Sequence, residues 1–340
     1  MSKPQGIIAG GNWIVDHVKV IDAWPPQDAL ANILSQSQGN GGSPYNILKN
    51  LAKLGAAFPL RAVGLVGDDP DGSFILADCR QHGIDTTQLR ATTLAATSYT
   101  DVMTVRGNGR RTFFHQRGAN AQLSPENFLF PANHARHLHL GYALLLDTLD
   151  QIGPGGMPAL GEVLARARVH GLSTSLDCVS ENSDRFATVI IPVLPAVDVL
   201  FVNDFEAEKL TGLALGRGPR LNRPLVEEAG QRLIALGVKE WAIIHFPEGT
   251  CACSSHGDRV WRPALNVPES LIAGAAGAGD AFAAGVLYGL HEAWPISRCL
   301  SLGVCTAAAS LREVTCSDGV RPLSECLQLA DQWGFRDFAP

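Results

Sequence analysis

Short apolar runs alternate with helical patterns along most of these 340 residues. That alternation restricts the chain to βαβ units: a mainly parallel sheet with helices on both faces. Residues 7–11 and 60–66 read as buried strands, the second followed by a helix over 73–82 that stops at Gly83. A helix over 157–170 ends at Gly171, and 172–177 is the next strand. The run 197–202, apolar apart from Asp198, leads into a helix over 204–210 closed by Gly212. Residues 224–236 form a helix stopped by Gly237, 241–246 a strand, and nearly everything after Asp280 is helical. The length admits one large α/β domain, and 1–340 is read as such.

One region breaks the rhythm. Between about 97 and 117 the pattern turns to period-two alternation around Asn108 and Gly109, a two-residue hairpin signal. With the strand-like stretch within 13–24, it predicts a small sheet standing off the main one. Its apolar face needs a cover, so it is read as a lid over the carboxyl ends of the parallel strands, where open α/β sheets bind ligands. A peripheral excursion, or a homodimer contact through the lid, uses the same face.

A formal net charge of −6 argues against a general affinity for nucleic acid or anionic membrane. The local basic cluster Arg106, Arg110 and Arg111 is expected at a solvated hairpin tip, with recognition of a phosphate group the alternative. The longest notable uncharged stretch, 299–311, has 13 residues, too few to span a bilayer. No charged segment followed by an apolar one opens the chain, and the expected location is the cytoplasm. The eight cysteines include no CxxC pair and read as buried free thiols, with Cys251 and Cys253 on one strand face. His134, His137 and His139 lack further ligands at metal-binding spacing and read as loop and strand residues.

The run 272–289, IAGAAGAGDAFAAGVLYG, puts a tight glycine turn and one carboxylate at the mouth of an apolar helix. Gly277, Ala278 and Gly279 have little or no side chain, so their N–H groups can approach an anion, and the helix adds the positive end of its dipole. Asp280 beside such a cradle would repel a phosphate unless it serves another purpose, such as accepting a proton from an attacking hydroxyl. A helix start with packing glycines and a capping aspartate fits the same residues.

Three further segments stand in order with GAGD at 277–280: GNGGSPYNILKNLAKLG at 39–55, VGLVGDDPDG at 63–72 and FVNDFEAEKLTG at 201–212. Together they resemble the ribokinase-like (PfkB) carbohydrate kinases over most of the chain. The resemblance implies a three-layer α/β/α domain with a β-sheet lid, and phosphoryl transfer from ATP to a hydroxyl of a sugar or sugar-like molecule. It assigns Asp280 as the base and the N–H groups of Gly277, Ala278 and Gly279 as the anion hole. It places Asn203, His245 and Gly249 at the nucleotide. Asn203 and Glu206 would hold Mg2+ through water, although the same pair is spaced as a helix N-cap with its capping-box partner. Asp16, Gly41, Gly42 and Asn46 would bind the sugar, with Asn12 a weaker candidate. Trp13 is either an apolar wall for the sugar or core packing.

Two departures qualify the resemblance. The family's DTTG is replaced by Gly274, Ala275, Ala276 and Gly277, which removes the aspartate and threonine of its monovalent-cation site, so potassium activation is not expected. After the strand at 241–244 the chain reads HFPEGT, and Pro247 cannot donate an N–H. A nucleoside kinase of the same fold and a sugar- or nucleotide-binding regulatory protein with weak catalysis are the alternatives. The absence of a lysine after a glycine-rich loop disfavours a P-loop.

Overall fold

A computed structural model describes residues 5–107, 110–130 and 135–337. Its main sheet is built from β1 (Ile7–Gly11), β4 (Leu60–Gly67), β5 (Asp85–Thr92), β8 (His137–Ala143), β9 (Ser173–Cys178), β10 (Val199–Asn203), β11 (Trp241–Phe246), β12 (Gly249–Ser254) and β13 (Arg259–Pro263). They lie in the order 13-12-11-10-9-8-1-4-5, parallel except where β12 runs antiparallel to both its neighbours. A second sheet takes β2 (Ile14–Ile21), β3 (Ile33–Gly41), β6 (Ser98–Val105) and β7 (Arg111–Gln116) in the order 3-2-6-7.

The helices are α1 (Ser43–Lys53), α2 (Pro70–Gln81), α3 (Ala159–Val169), α4 (Asp204–Thr211), α5 (Arg223–Ala235), α6 (Ala278–His291), α7 (Ile296–Ser310) and α8 (Leu323–Trp333). Strand residues of the two faces enter different cores, as period-two alternation requires. Leu200, Val202, Ala242 and Ile244 pack with Leu160 and Val163 of α3, Leu210 of α4 and Leu233 of α5. Val199, Phe201 and Ile243 pack with Leu48 of α1, Phe282 of α6 and Leu300 of α7. The result is three layers, α/β/α, as expected. No helix among the described residues is long and apolar enough to cross a membrane.

The elements read from the sequence lie within a few residues of their expected bounds. Strands β5 and β13 and helix α1 were not read from it, and neither was β3. Its residues 33–38 are exposed and mostly polar, so no apolar alternation marks them; pairing with β2 makes them a strand. The expected turn at Asn108 and Gly109 lies outside the described residues, but β6 and β7 pair antiparallel on either side of it. His134 also lies outside them. His137 and His139 are buried on β8, share the Ser175 hydroxyl at 2.7 and 2.8 Å, and are held neutral by burial. All eight cysteines are free and buried, with the Cys251 and Cys253 sulfurs 3.9 Å apart. No cluster of three or more metal-ligating side chains occurs among the described residues.

Candidate active site

The chain leaves β1 toward β4 on one side and returns through β8 on the other, a topological switch point of the kind that opens a crevice at the carboxyl ends of strands. Tyr142, Asp177, Asn203 and His245 stand at the carboxyl-terminal ends of β8, β9, β10 and β11, and all line one cavity of about 440 Å³. The small sheet covers it with Ile14, Asp16, Thr100, Phe113 and His115, so this sheet is a lid in position as well as in shape. A second cavity of about 390 Å³ lies behind, walled by Val267, Ile272, Val304 and Leu311 and edged by Arg336. Asn203, His245 and Gly279 line both. The glycine turn is therefore the partition between two chambers.

Gly277 caps α6 with φ 73°, in the left-handed region. A Cβ there would lie 2.5 Å from the Cβ of Cys316, so the turn needs glycine for space as well as for conformation. Ala278 N–H donates to the Ala275 carbonyl at 3.3 Å and tightens the turn. At the first turn of α6, Asp280 is buried and its Oδ2 accepts from Asn46 Nδ2 at 2.7 Å and from Tyr142 Oη at 2.6 Å. Burial pushes its pKa up to about 6, against the lowering effect of those two donors.

Asn46 is itself held: Asn40 Nδ2 donates to its Oδ1 at 2.6 Å and to Ser317 Oγ at 2.8 Å. Asp16, on β2, takes hydrogen bonds from the Cys316 thiol, at 3.7 Å, and from the Thr100 hydroxyl, while burial under the lid raises it to about 7. Asp177 accepts from Ser43 Oγ at 3.2 Å; burial and the charges of Asp280 and Glu206 hold it well above the carboxylate range. Four carboxyl groups thus share one cavity, each raised.

Asn203 and Glu206 form the capping box that their spacing allowed, and they also line the lid cavity. Glu206 Oε2 accepts from Asn203 N at 2.9 Å, and Oε1 from Ser180 Oγ at 2.7 Å and Asn203 Nδ2 at 2.9 Å. Burial raises Glu206 to about 7. His245 is half-buried and kept neutral by desolvation, its Cε1 facing Gly279, and Gly249 lines the rear cavity.

Gly42 lines the lid cavity with φ 87°, whereas Gly41 backs onto the Asp16 carboxylate, 2.6 Å from where its Cβ would be. Asn12 requires a correction. It is buried, its Nδ2 donates to the Leu145 carbonyl at 3.0 Å and its Oδ1 accepts from Tyr142 N, so it braces the β8 end and does not line the cavity. Trp13 is core: fully buried against Tyr45, with Nε1 donating to the Val63 carbonyl at 2.8 Å. Arg111 departs from the solvated tip expected of it. Its guanidinium lies against Gly274, with Nη2 2.2 Å from where a Cβ on that glycine would stand.

Tyr142, Asp177, Thr100, His115 and Cys316 escaped the sequence reading. Of these, Asp177 alone carried a usable signal, a carboxylate closing an apolar strand.

A family model described as pfkB family carbohydrate kinase matches residues 11–322. The 5-dehydro-2-deoxygluconokinase of Geobacillus thermodenitrificans is 22% identical over 334 residues, 96% of this chain and 93% of that protein. The ATP-dependent ribose-1-phosphate kinase of Halopiger xanaduensis is 28% identical over 279 residues, 81% of each. Among solved structures, the ribokinase of Arabidopsis thaliana complexed with ribose and ATP superposes with a TM-score of 0.78 at 20% identity, covering 97% of this chain and 99% of that one.

Proposed function

Because the chain belongs to the pfkB family of carbohydrate kinases, we propose that it moves the γ-phosphoryl group of ATP to a hydroxyl of a sugar or sugar-like substrate, with Asp280 as the base. The observation that carries this reading is the place of Asp280: a buried carboxylate on the first turn of α6, next to the partition between a chamber under the lid lined by four carboxyl groups and an apolar-walled chamber behind it. The substrate hydroxyl lies in the lid cavity against Asp16, Asn46 and Gly42. The nucleotide base fits the apolar walls of the rear cavity, with His245 and Gly249 beside it.

Phosphoryl transfer passes through a loose transition state that asks for positioning and charge stabilisation more than for a strong base. Asn46 and Tyr142 orient Asp280, which is ionised at neutral pH and takes the hydroxyl proton as the new P–O bond forms. The N–H groups of Gly277 and Gly279, at the positive end of α6, face the oxygens of the transferred group, while that of Ala278 is engaged by the Ala275 carbonyl and must leave it to join them.

Mg2+ accompanies ATP in this reading. Glu206 takes three hydrogen bonds on its two oxygens from Asn203 and Ser180, and the Cys178 thiol is a fourth donor. So occupied, the carboxylate suits a metal's water shell better than direct ligation, and Asn203 and Glu206 would hold the ion through water. When bound, the ion neutralises phosphate charge.

The test is ADP release over a panel of sugars, sugar derivatives and nucleosides with Mg-ATP, beside Asp280→Asn. Turnover that the substitution abolishes is expected; equal turnover by the variant would remove Asp280 from its role. Preference for a nucleoside would move the reading to the nucleoside kinases of this fold.

A further inference from the structure

The lid cavity is one-sided in charge. Asp16, Asp177, Glu206 and Asp280 line it, while no lysine or arginine does among the described residues. The lid cation Arg111 is packed against Gly274 and does not line the chamber, although its charge reaches Asp16 and Cys316. Asn46 Nδ2 and Tyr142 Oη donate to Asp280, and Ser43 Oγ to Asp177.

His115, on β7 of the lid, lines the same cavity. Its Nδ1 lies 3.0 Å from Thr100 Oγ1, and its Nε2 is shielded from solvent with no hydrogen-bond partner. Thr100 also hydrogen-bonds Asp16. An ionised Asp16 accepts the Thr100 hydrogen bond and sets the ring proton on Nδ1, whereas a protonated Asp16 allows the reverse. In either tautomer Nε2 is a shielded polar atom without a partner. Burial and the neighbouring Arg117 disfavour a second proton on the ring.

We propose that the phosphoryl acceptor is an uncharged polyol, a sugar whose hydroxyls hydrogen-bond with Asp16 and His115 Nε2, and that His115 is a specificity-determining residue. An orphaned buried ring nitrogen is costly until a partner meets it, and a hydroxyl, which both donates and accepts, supplies one. A substrate carboxylate or phosphate would add negative charge to a chamber lined by four carboxyl groups. The inference rests on the kinase reading above and narrows it, for the curated relatives include kinases named for a dehydrodeoxygluconate, a sugar phosphate and neutral sugars.

The experiment measures ADP release by the full-length enzyme with Mg-ATP on three matched sets: neutral pentoses and hexoses, the corresponding aldonic and keto-aldonic acids, and the sugar monophosphates. It is repeated with His115→Phe, which removes the ring nitrogens, and His115→Gln, which restores a polar end that can donate or accept. The expected result is kcat/KM for the best neutral sugar at least about tenfold above that for any anionic one. His115→Phe should raise the sugar KM by about tenfold with kcat and the ATP KM little changed, and His115→Gln should recover part of that loss. A general folding defect would move all three parameters together. Preference for an acid or a phosphate overturns the inference and leaves the kinase reading standing, as does an unaltered sugar KM in His115→Phe. Absence of turnover on every set overturns both.

Discussion

Asp280→Asn should destroy activity and stabilise the protein, and the second effect can be worked out. Burial moves the Asp280 pKa from 3.8 to about 6 although two donors favour the charged form. A folded-state pKa raised by about 2 units corresponds to roughly 3 kcal/mol spent in the free enzyme to keep the group ionised above pH 6. The sign follows from proton counts: between pH 4 and 6 the unfolded chain has lost this proton and the folded one has kept it. Stability therefore falls as pH rises through that window and levels off above it.

Asparagine removes the charge. Its amide oxygen, placed where Oδ2 lies, still accepts from Asn46 and Tyr142. Allowing about 1 kcal/mol for weaker hydrogen bonds to a neutral acceptor, the variant should be about 2 kcal/mol more stable than wild type at pH 8. At pH 4 the gain should have disappeared. Urea unfolding of both proteins at pH 4, 6 and 8, followed by circular dichroism, measures the difference. A variant less stable than wild type at pH 8, or a difference that does not change with pH, would refute the assignment of a strained, buried charge.

Other consequences follow from the same geometry. The kcat/KM of the wild type should fall on the acid side with a midpoint near pH 6, since the base must be ionised in the free enzyme; a pH–rate profile with its acid limb centred below about 4.5 would contradict this. Gly277→Ala combines a left-handed φ with a Cβ 2.5 Å from Cys316, for a cost of about 2–4 kcal/mol and a large loss of kcat, read by thermal melting and single-turnover kinetics. Trp13→Phe strips the Val63 carbonyl of its partner and should cost about 2–3 kcal/mol while leaving the sugar KM unchanged, which separates core packing from a substrate wall. Exchanging sodium for potassium should leave the rate as it is. Gly274→Asp should not create potassium dependence, because the new carboxylate meets and pairs with the Arg111 guanidinium.

The parts legible in the sequence are those encoded locally. Apolar period and glycine stops located β1, β4, β9, β10 and β11 and helices α2 to α5, since each depends on neighbours a few residues away. The GAGD turn, the Asn203–Glu206 pair and the glycine–asparagine segment around Gly42 and Asn46 were visible because backbone geometry ties residue type to position there. Asn12 and Arg111 were misplaced for the complementary reason. An asparagine beside a ligand loop and an arginine near a hairpin look alike in sequence whether they face solvent, substrate or the protein's own backbone.

By itself, then, the sequence determined a parallel α/β sheet with a lid and an anion-binding turn carrying one carboxylate. Tertiary structure decided what surrounds that carboxylate. Tyr142, Asp177 and His115 come from β8, β9 and β7, distant in the chain and carrying no local signature, and they meet only where strand ends and lid converge. Their pKa values and hydrogen-bonding capacity are set by burial and by one another, quantities that exist only once the chain has closed around the cavity.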